Sequence, residues 1–142
     1  MSKELVNVVG LGYIGLPTAM MMASHGVSVI GSDYNQALVD SLQAGHLTFQ
    51  EEGLEELFAQ ALQGGIQFSS GYSHEADIYI VSVPTPYDKK SKRIDPHYVV
   101  SAVKQVLDVC RKGAIVVVES TVSPGTIDRF VRPLVAEHGL KG

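Results

Sequence analysis

The sequence predicts an α/β domain built on a doubly wound, mostly parallel sheet. Three observations predict it. Short, β-branched apolar runs alternate with amphipathic segments along the whole chain. Glycines 10, 12 and 15, in GLGYIG, stand between the first apolar run and the first amphipathic one. An acid, Asp33, closes the second apolar run. Right-handed crossovers between such runs lay successive strands parallel.

The elements follow in order. Residues 5–10 (LVNVVG) form a buried strand ending on glycine. Residues 13–26 form a helix closed by Gly26. Pro17 is tolerated in its first turn, where a backbone N–H has no partner inside the helix. Residues 27–33 form the second strand, and 35–45 a helix with Asn35 as N-cap and Gly45 just past its end. In the helix over 51–65, Leu54, Leu57, Phe58, Ala61 and Leu62 share one face. A weak strand at 66–70 and a stronger one at 77–84 come next. DKKSKR (88–93), flanked by Pro86 and Pro96, is expected to be a solvated loop. Asp95 and Pro96 serve as N-cap and first residue of a helix reaching about Lys112. Its Val99, Val103, Val106 and Cys110 recur at three- and four-residue steps. AIVVVES (114–120) is a continuous apolar run, as expected of a strand buried on both faces. Ser123 and Pro124 open a last helix to about His138, followed by GLKG, which leaves room for another strand in a longer protein.

The bulk numbers bound the function. With 142 residues, 45% hydrophobic and 18% charged, residues 1–142 suit a single domain with a real core. A net charge of -4 gives no sign of a nucleic-acid surface. No stretch approaches the length of a membrane span. The single cysteine, Cys110, rules out an intramolecular disulfide and fits a reducing cytoplasm. The five histidines do not pair with cysteine at metal-ligand spacing, so no metal site is expected.

Two readings of GLGYIG compete. In one, the glycines serve only a tight strand-to-helix turn, and Asp33 is a turn or capping aspartate. In the other, Gly10 permits the turn, Gly12 lets the backbone approach a pyrophosphate, and Gly15 lets helix and strand pack closely. The helix N-terminus then offers free N–H groups and a positive dipole end to the phosphates. Asp33 follows Gly10 by 23 residues, where an acid accepts from the adenosine ribose hydroxyls. With strand, glycines, helix and acid in register, the second reading is favoured: a Rossmann-type dinucleotide site. The Asp33 charge would repel a 2′-phosphate, and YNQ after it supplies no arginine, so the cofactor expected is NAD rather than NADP.

Two more loops lie at the carboxyl ends of expected strands: VPTP (83–86) and ESTVSPGT (119–126). Taken alone, they are a rigid connection and a turn in which Ser120, Thr121 and Ser123 serve capping. In this order, however, GLGYIGLPTA, Asp33, EEGLEEL, VPTP and ESTVSPGT resemble the N-terminal half of the UDP-sugar 6-dehydrogenases. VPTP and EST look nearest the UDP-N-acetylhexosamine branch, since UDP-glucose enzymes more usually show GTP and KST. Glu52 stands where the family commonly has proline, which puts the carry-over of that loop in doubt.

The resemblance implies oxidation of a UDP-sugar, first of all UDP-N-acetylmannosamine, at its C6 alcohol to the carboxylate. The family uses two NAD+ in succession and passes through a cysteine thiohemiacetal and thioester. By resemblance, Tyr13 and Ile14 give backbone contacts to the pyrophosphate, and Asp33 holds the ribose. Thr85, Thr121 and Thr126 line the cofactor site. Thr121 also matches the threonine that helps order the catalytic water, and Glu119 is a neighbouring polar contact. A cytoplasmic enzyme of nucleotide-sugar metabolism and polysaccharide biosynthesis, homodimeric at full length, is implied as well.

The nucleophile is not expected here. Cys110 sits on the apolar stripe of a helix and suits a core residue. The family's GGSCFPKD-like motif, catalytic lysine, dimerising helix and UDP-sugar domain find no match in this chain. The chain is therefore expected to be the NAD-binding part of a larger enzyme, inactive alone. The alternatives are the same domain of a UDP-glucose 6-dehydrogenase, the NAD domain of a β-hydroxyacid dehydrogenase, and a stand-alone nucleotide-sensing module.

Overall fold

The structure, a computed structural model, describes residues 4–72 and 74–138. Its centre is a five-stranded sheet. The strands are β1 (Leu5–Val9), β2 (Ser28–Asp33), β3 (Gln67–Ser70), β4 (Ile78–Val81) and β7 (Ile115–Val118). They lie in the order β3-β2-β1-β4-β7, and every pairing is parallel. The chain begins in the middle, works outward to β3, then crosses to β4 on the other side of β1. The order therefore reverses between β1 and β4, and all strands point their carboxyl ends at that crevice.

Helices cover both faces. On one side α1 (Gly15–Ser24), α2 (Gln36–Gln43) and α3 (Leu54–Gln63) bury Leu16, Met20, Leu42 and Phe58 against Val6 and Val8 of β1. On the other, α4 (His97–Val109) and the segment around α5 (Arg132–Glu137) bury Val99, Val103, Val106 and Leu134 against Val9, Tyr79 and Val81. Side chains alternate across β1, so one central strand feeds both cores. Asn35 caps α2 as expected, its Oδ1 accepting from the Leu38 N–H at 3.2 Å.

Several expectations are corrected. AIVVVES is not buried on both faces. β7 is an edge strand, with Ile115 56% and Val117 44% exposed among the described residues. A continuous apolar run reports β propensity but not whether both faces are covered: Val116 and Val118 pack on the second core, and the face with Ile115 and Val117 is left open. DKKSKR is solvated along its whole length, as expected, but its ends are paired rather than open. Tyr87–Asp88 (β5) and Arg93–Ile94 (β6) pair antiparallel as a small hairpin. Lys92 closes its turn at φ 56° and donates its N–H to the Asp88 carbonyl at 2.8 Å. Asp88 also accepts from the Lys90 N–H, which holds its carboxyl below the usual range.

The helix after Asp95 starts at His97 and stops at Val109, because Cys110 turns extended at ψ 148°. Pro96, not Asp95, is therefore the N-cap, and Asp95 sits one residue before it with Oδ1 accepting from the His97 N–H at 2.9 Å. On α3, Leu62 is exposed, not on the buried face. The last helix starts three residues beyond Ser123 and is π-wound over Ile127–Val131 before α5. Pro133 explains the wide turn: it has no N–H for the Arg129 carbonyl, and its ring crowds that oxygen.

One buried polar pair crosses the sheet. Ser32 Oγ donates to Asn7 Oδ1 at 2.7 Å, while Asn7 Nδ2 has no partner among the described residues. Removing the hydroxyl in Ser32→Ala leaves the whole amide unpaired. Urea denaturation should show a loss of about 1–3 kcal/mol. The double change Asn7→Leu with Ser32→Ala should recover most of it, because both partners then become apolar.

Candidate cofactor site

The carboxyl end of β1 leads directly into the glycine turn. Gly10 holds φ +98° and donates its N–H to the Ser32 carbonyl at 2.8 Å. A Cβ on Gly10 would stand 2.8 Å from the Ser82 carbonyl oxygen. A Cβ on Gly15 would stand 1.8 Å from the Gly10 carbonyl oxygen. Protein packing alone therefore accounts for both.

Gly12 is different. A Cβ there would meet nothing within 4 Å, and its φ is not left-handed. Neither strain nor crowding within the protein requires glycine at this position. Beside it, the N–H groups of Tyr13 and Ile14 make no hydrogen bond among the described residues. The Tyr13 side chain is 76% exposed and rests against Phe49, with ring centroids 4.6 Å apart. Ile14, the N-cap of α1, supplies no side-chain bond, and the first turn of α1 carries no acid. The positive end of the helix dipole is thus left facing the crevice.

Asp33, at the end of β2, serves the turn and keeps capacity for a ligand. Its Oδ2 accepts from the Leu11 N–H at 2.9 Å and its Oδ1 from the Asn35 N–H at 2.8 Å. A carboxylate has about four acceptor sites, so each oxygen retains one. The turn role and the ribose role, posed as alternatives by the sequence, are compatible. Tyr34, which no motif in the sequence marks, stands next to this acid. Its exposed ring meets the buried Tyr72 edge-on at 4.3 Å. Burial, with the Asp33 charge adding, pushes the Tyr72 hydroxyl well above its ordinary pKa. The Tyr34 ring thus has a rigid, neutral backing beside the acid.

The second wall belongs to β4 and β7. Ser82 and Glu119, just past these strands, are joined by a 3.0 Å hydrogen bond from Ser82 Oγ to Glu119 Oε2. Ser120 Oγ donates to the Val83 carbonyl at 2.8 Å and so ties the two loops together. Thr85 is half-buried and Thr121 exposed in these loops. Thr126 is buried, and its Oγ1 donates to the Ser123 carbonyl at 2.7 Å, so its proton serves its own turn. It lines a groove of about 400 Å³ with Arg93, Ile94 and Arg129, beside rather than within the glycine turn. The structure thus gathers Gly10, Gly12, Tyr13, Ile14, Gly15 and Asp33 at one wall of the crevice. Thr85 and Thr121 lie at the other.

Cys110 is elsewhere. It lines a groove with Gly113, Ala114 and Ile115, at the amino end of β7, whereas the crevice lies at the carboxyl ends. Burial pushes its thiol pKa up, which opposes thiolate formation. No group of three or more His, Cys, Asp or Glu is placed for a metal ion among the described residues. Among them, too, no helix is long and apolar enough to cross a membrane.

Over residues 4–142 the chain matches the UDP-glucose/GDP-mannose dehydrogenase family, NAD binding domain. The chain belongs to this family. A UDP-N-acetyl-D-mannosamine dehydrogenase of Methanococcus maripaludis is 41% identical over 132 residues, covering 91% of this chain and 31% of the relative. The Escherichia coli protein of the same name is 40% identical over 130 residues, 92% of this chain and 31% of that one. The native structure of a UDP-N-acetyl-mannosamine dehydrogenase from Staphylococcus aureus superposes with a TM-score of 0.89. It is 40% identical, covering 97% of this chain and 34% of that one. The chain thus spans about a third of these relatives, corresponding to the NAD-binding N-terminal domain of the dehydrogenase family. The family match also sets aside the hydroxyacid-dehydrogenase alternative.

The turn fits the cofactor that the family implies. The open space over Gly12 and the free N–H groups beside it suit a pyrophosphate. The remaining acceptor capacity of Asp33 suits ribose hydroxyls.

Proposed function

We propose that this dehydrogenase-family domain holds NAD+ for the oxidation of UDP-N-acetylmannosamine at C6. The observation that carries the cofactor site is Gly12: its lack of a side chain answers no need of the protein itself. The N–H groups of Tyr13 and Ile14 bind the pyrophosphate, and Asp33 binds the adenosine ribose. Thr85 and Thr121 line the nicotinamide side, where Thr121 helps order a water, and Thr126, whose hydroxyl is bound to the Ser123 carbonyl, supports that loop from behind. NAD+ bound there would supply a hydride acceptor. Taking an alcohol to a carboxylate removes four electrons, so two NAD+ are used in turn. The names of the relatives support the substrate.

In this reading the nucleophile and the sugar pocket lie outside this chain; the position of its one thiol, at the amino end of β7, supports the first of these. The full enzyme is a cytoplasmic homodimer. An assay of NADH release tests this. A protein carrying this domain with the rest of the enzyme should yield two NADH per UDP-N-acetylmannosamine and far less from UDP-glucose. Equal turnover of UDP-glucose would overturn the substrate. Steady NADH from this chain alone would overturn the assignment of the nucleophile elsewhere.

A further inference from the structure

Glu119 is the acid of the second wall. Its Oε2 accepts from Ser82 Oγ at 3.0 Å, and its Oε1 lies 3.1 Å from Thr18 Oγ1, whose one proton is shared with the Ile14 carbonyl at 2.9 Å. Ser82 belongs to the loop after β4, and Thr18 to the first turns of α1. The carboxylate thus bridges the two sides of the crevice, just below the glycine turn, where Ser82 abuts both Gly10 and Gly15. The Ser82 bond from one wall and the Thr18 hydroxyl from the other restrain a charge that would otherwise swing freely on an exposed side chain. Packing does not call for a carboxylate here, since Glu119 is exposed and has no cationic partner among the described residues.

The location gives the charge its meaning. In a sheet ordered β3-β2-β1-β4-β7, the acid of β2 marks the adenosine side of the crevice. The carboxyl ends of β4 and β7 mark the opposite, nicotinamide side. The oxidised nicotinamide ring carries a positive charge and the reduced ring is neutral, whereas the pyrophosphate and ribose halves are the same in both. A fixed carboxylate on that side therefore attracts one oxidation state and is indifferent to the other.

From this geometry we infer that Glu119, tethered by Ser82 and Thr18, makes the site prefer oxidised over reduced cofactor. The inference rests on the NAD-binding reading above. An enzyme that uses two NAD+ in succession gains from it, because the first NADH must leave before the second NAD+ enters. Glu119 acts on the ring through its charge, as a specificity-determining residue.

The test is calorimetric titration of this chain and of its Glu119→Gln variant with NAD+, NADH and ADP-ribose. Glutamine keeps the shape and can still bond both hydroxyls, but removes the charge. The ratio of the NAD+ Kd to the NADH Kd should rise about three- to tenfold in the variant, as expected for the loss of one charge in a partly solvated site. ADP-ribose, which lacks the nicotinamide, should bind both proteins equally. An unchanged ratio would overturn the inference, as would equal weakening of all three ligands, which would mark Glu119 as merely structural. Should the variant not fold, the same ratio in the unaltered chain is read against ionic strength. It should rise with salt as screening weakens the attraction, and a flat ratio would overturn the inference. Failure of the unaltered chain to bind ADP-ribose would instead overturn the NAD-binding reading itself.

Discussion

Gly15→Ala should cost this domain about 3 kcal/mol or more, visible as a fall in Tm of about 10 °C. The added Cβ would stand 1.8 Å from the Gly10 carbonyl oxygen and 3.1 Å from the Ser82 Cβ. The first neighbour is backbone, so no rotamer change relieves the overlap. Gly10 cannot retreat either, because its N–H is held by the Ser32 carbonyl and its own Cα faces the Ser82 carbonyl. The start of α1 must then shift away from β1. Leu16, Ala19 and Met20 are fully buried on that helix, so the shift disturbs the core beneath it. Thermal unfolding followed by circular dichroism measures the effect. A Tm within a degree or two of the unaltered domain would contradict the packing assigned to Gly15.

Asp33→Ala should have the largest effect on affinity. The variant loses the acceptor for the ribose hydroxyls, about 1.5–3 kcal/mol for a charged acceptor, or about ten- to hundredfold in Kd. It also frees the Leu11 and Asn35 N–H groups, which the two carboxylate oxygens now engage at 2.9 and 2.8 Å. A stability loss of about 1–2 kcal/mol should accompany the loss of binding. Asp33→Asn separates the two roles. It keeps one oxygen acceptor and the shape, but not the charge that repels a 2′-phosphate. Its NAD+ affinity should fall less, and its discrimination against NADP+ should shrink. An NAD+ Kd unchanged in Asp33→Ala would refute the assignment.

The parts of the site that were legible in the sequence are local ones. Gly10, Gly12, Gly15 and Asp33 are tied to one strand-turn-helix-strand unit, and their spacing carries the geometry. The parallel, doubly wound character of the sheet followed from alternation and handedness, whereas the order of its strands did not. What escaped depends on distant neighbours or unmarked backbone. The exposure of Ile115 and Val117 is set by what packs on their face of β7, which the VVV run does not encode, while Val116 and Val118 on the other face join the second core. The β5–β6 hairpin turns on Lys92 at positive φ, without the glycine or asparagine that usually announces such a turn. The clasp of Glu119 on Ser82 and Thr18 joins residues 37 and 101 positions apart, and no periodicity links them. The stack of Tyr34 on Tyr72 is hidden for the same reason.

The choice between a cofactor cradle and a bare packing turn comes down to Gly12. Gly10 and Gly15 would be glycine in either case, since the fold itself has no room for their side chains. Gly12 has room, and so its glycine has meaning only if something outside the protein comes close. The decisive measurement is therefore titration of Gly12→Ala with NAD+, alongside its thermal unfolding. A cradle predicts a Tm close to that of the unaltered domain and an NAD+ Kd raised about tenfold or more, as a methyl group enters the pyrophosphate's space. Unchanged NAD+ affinity in a well-folded Gly12→Ala domain would contradict it.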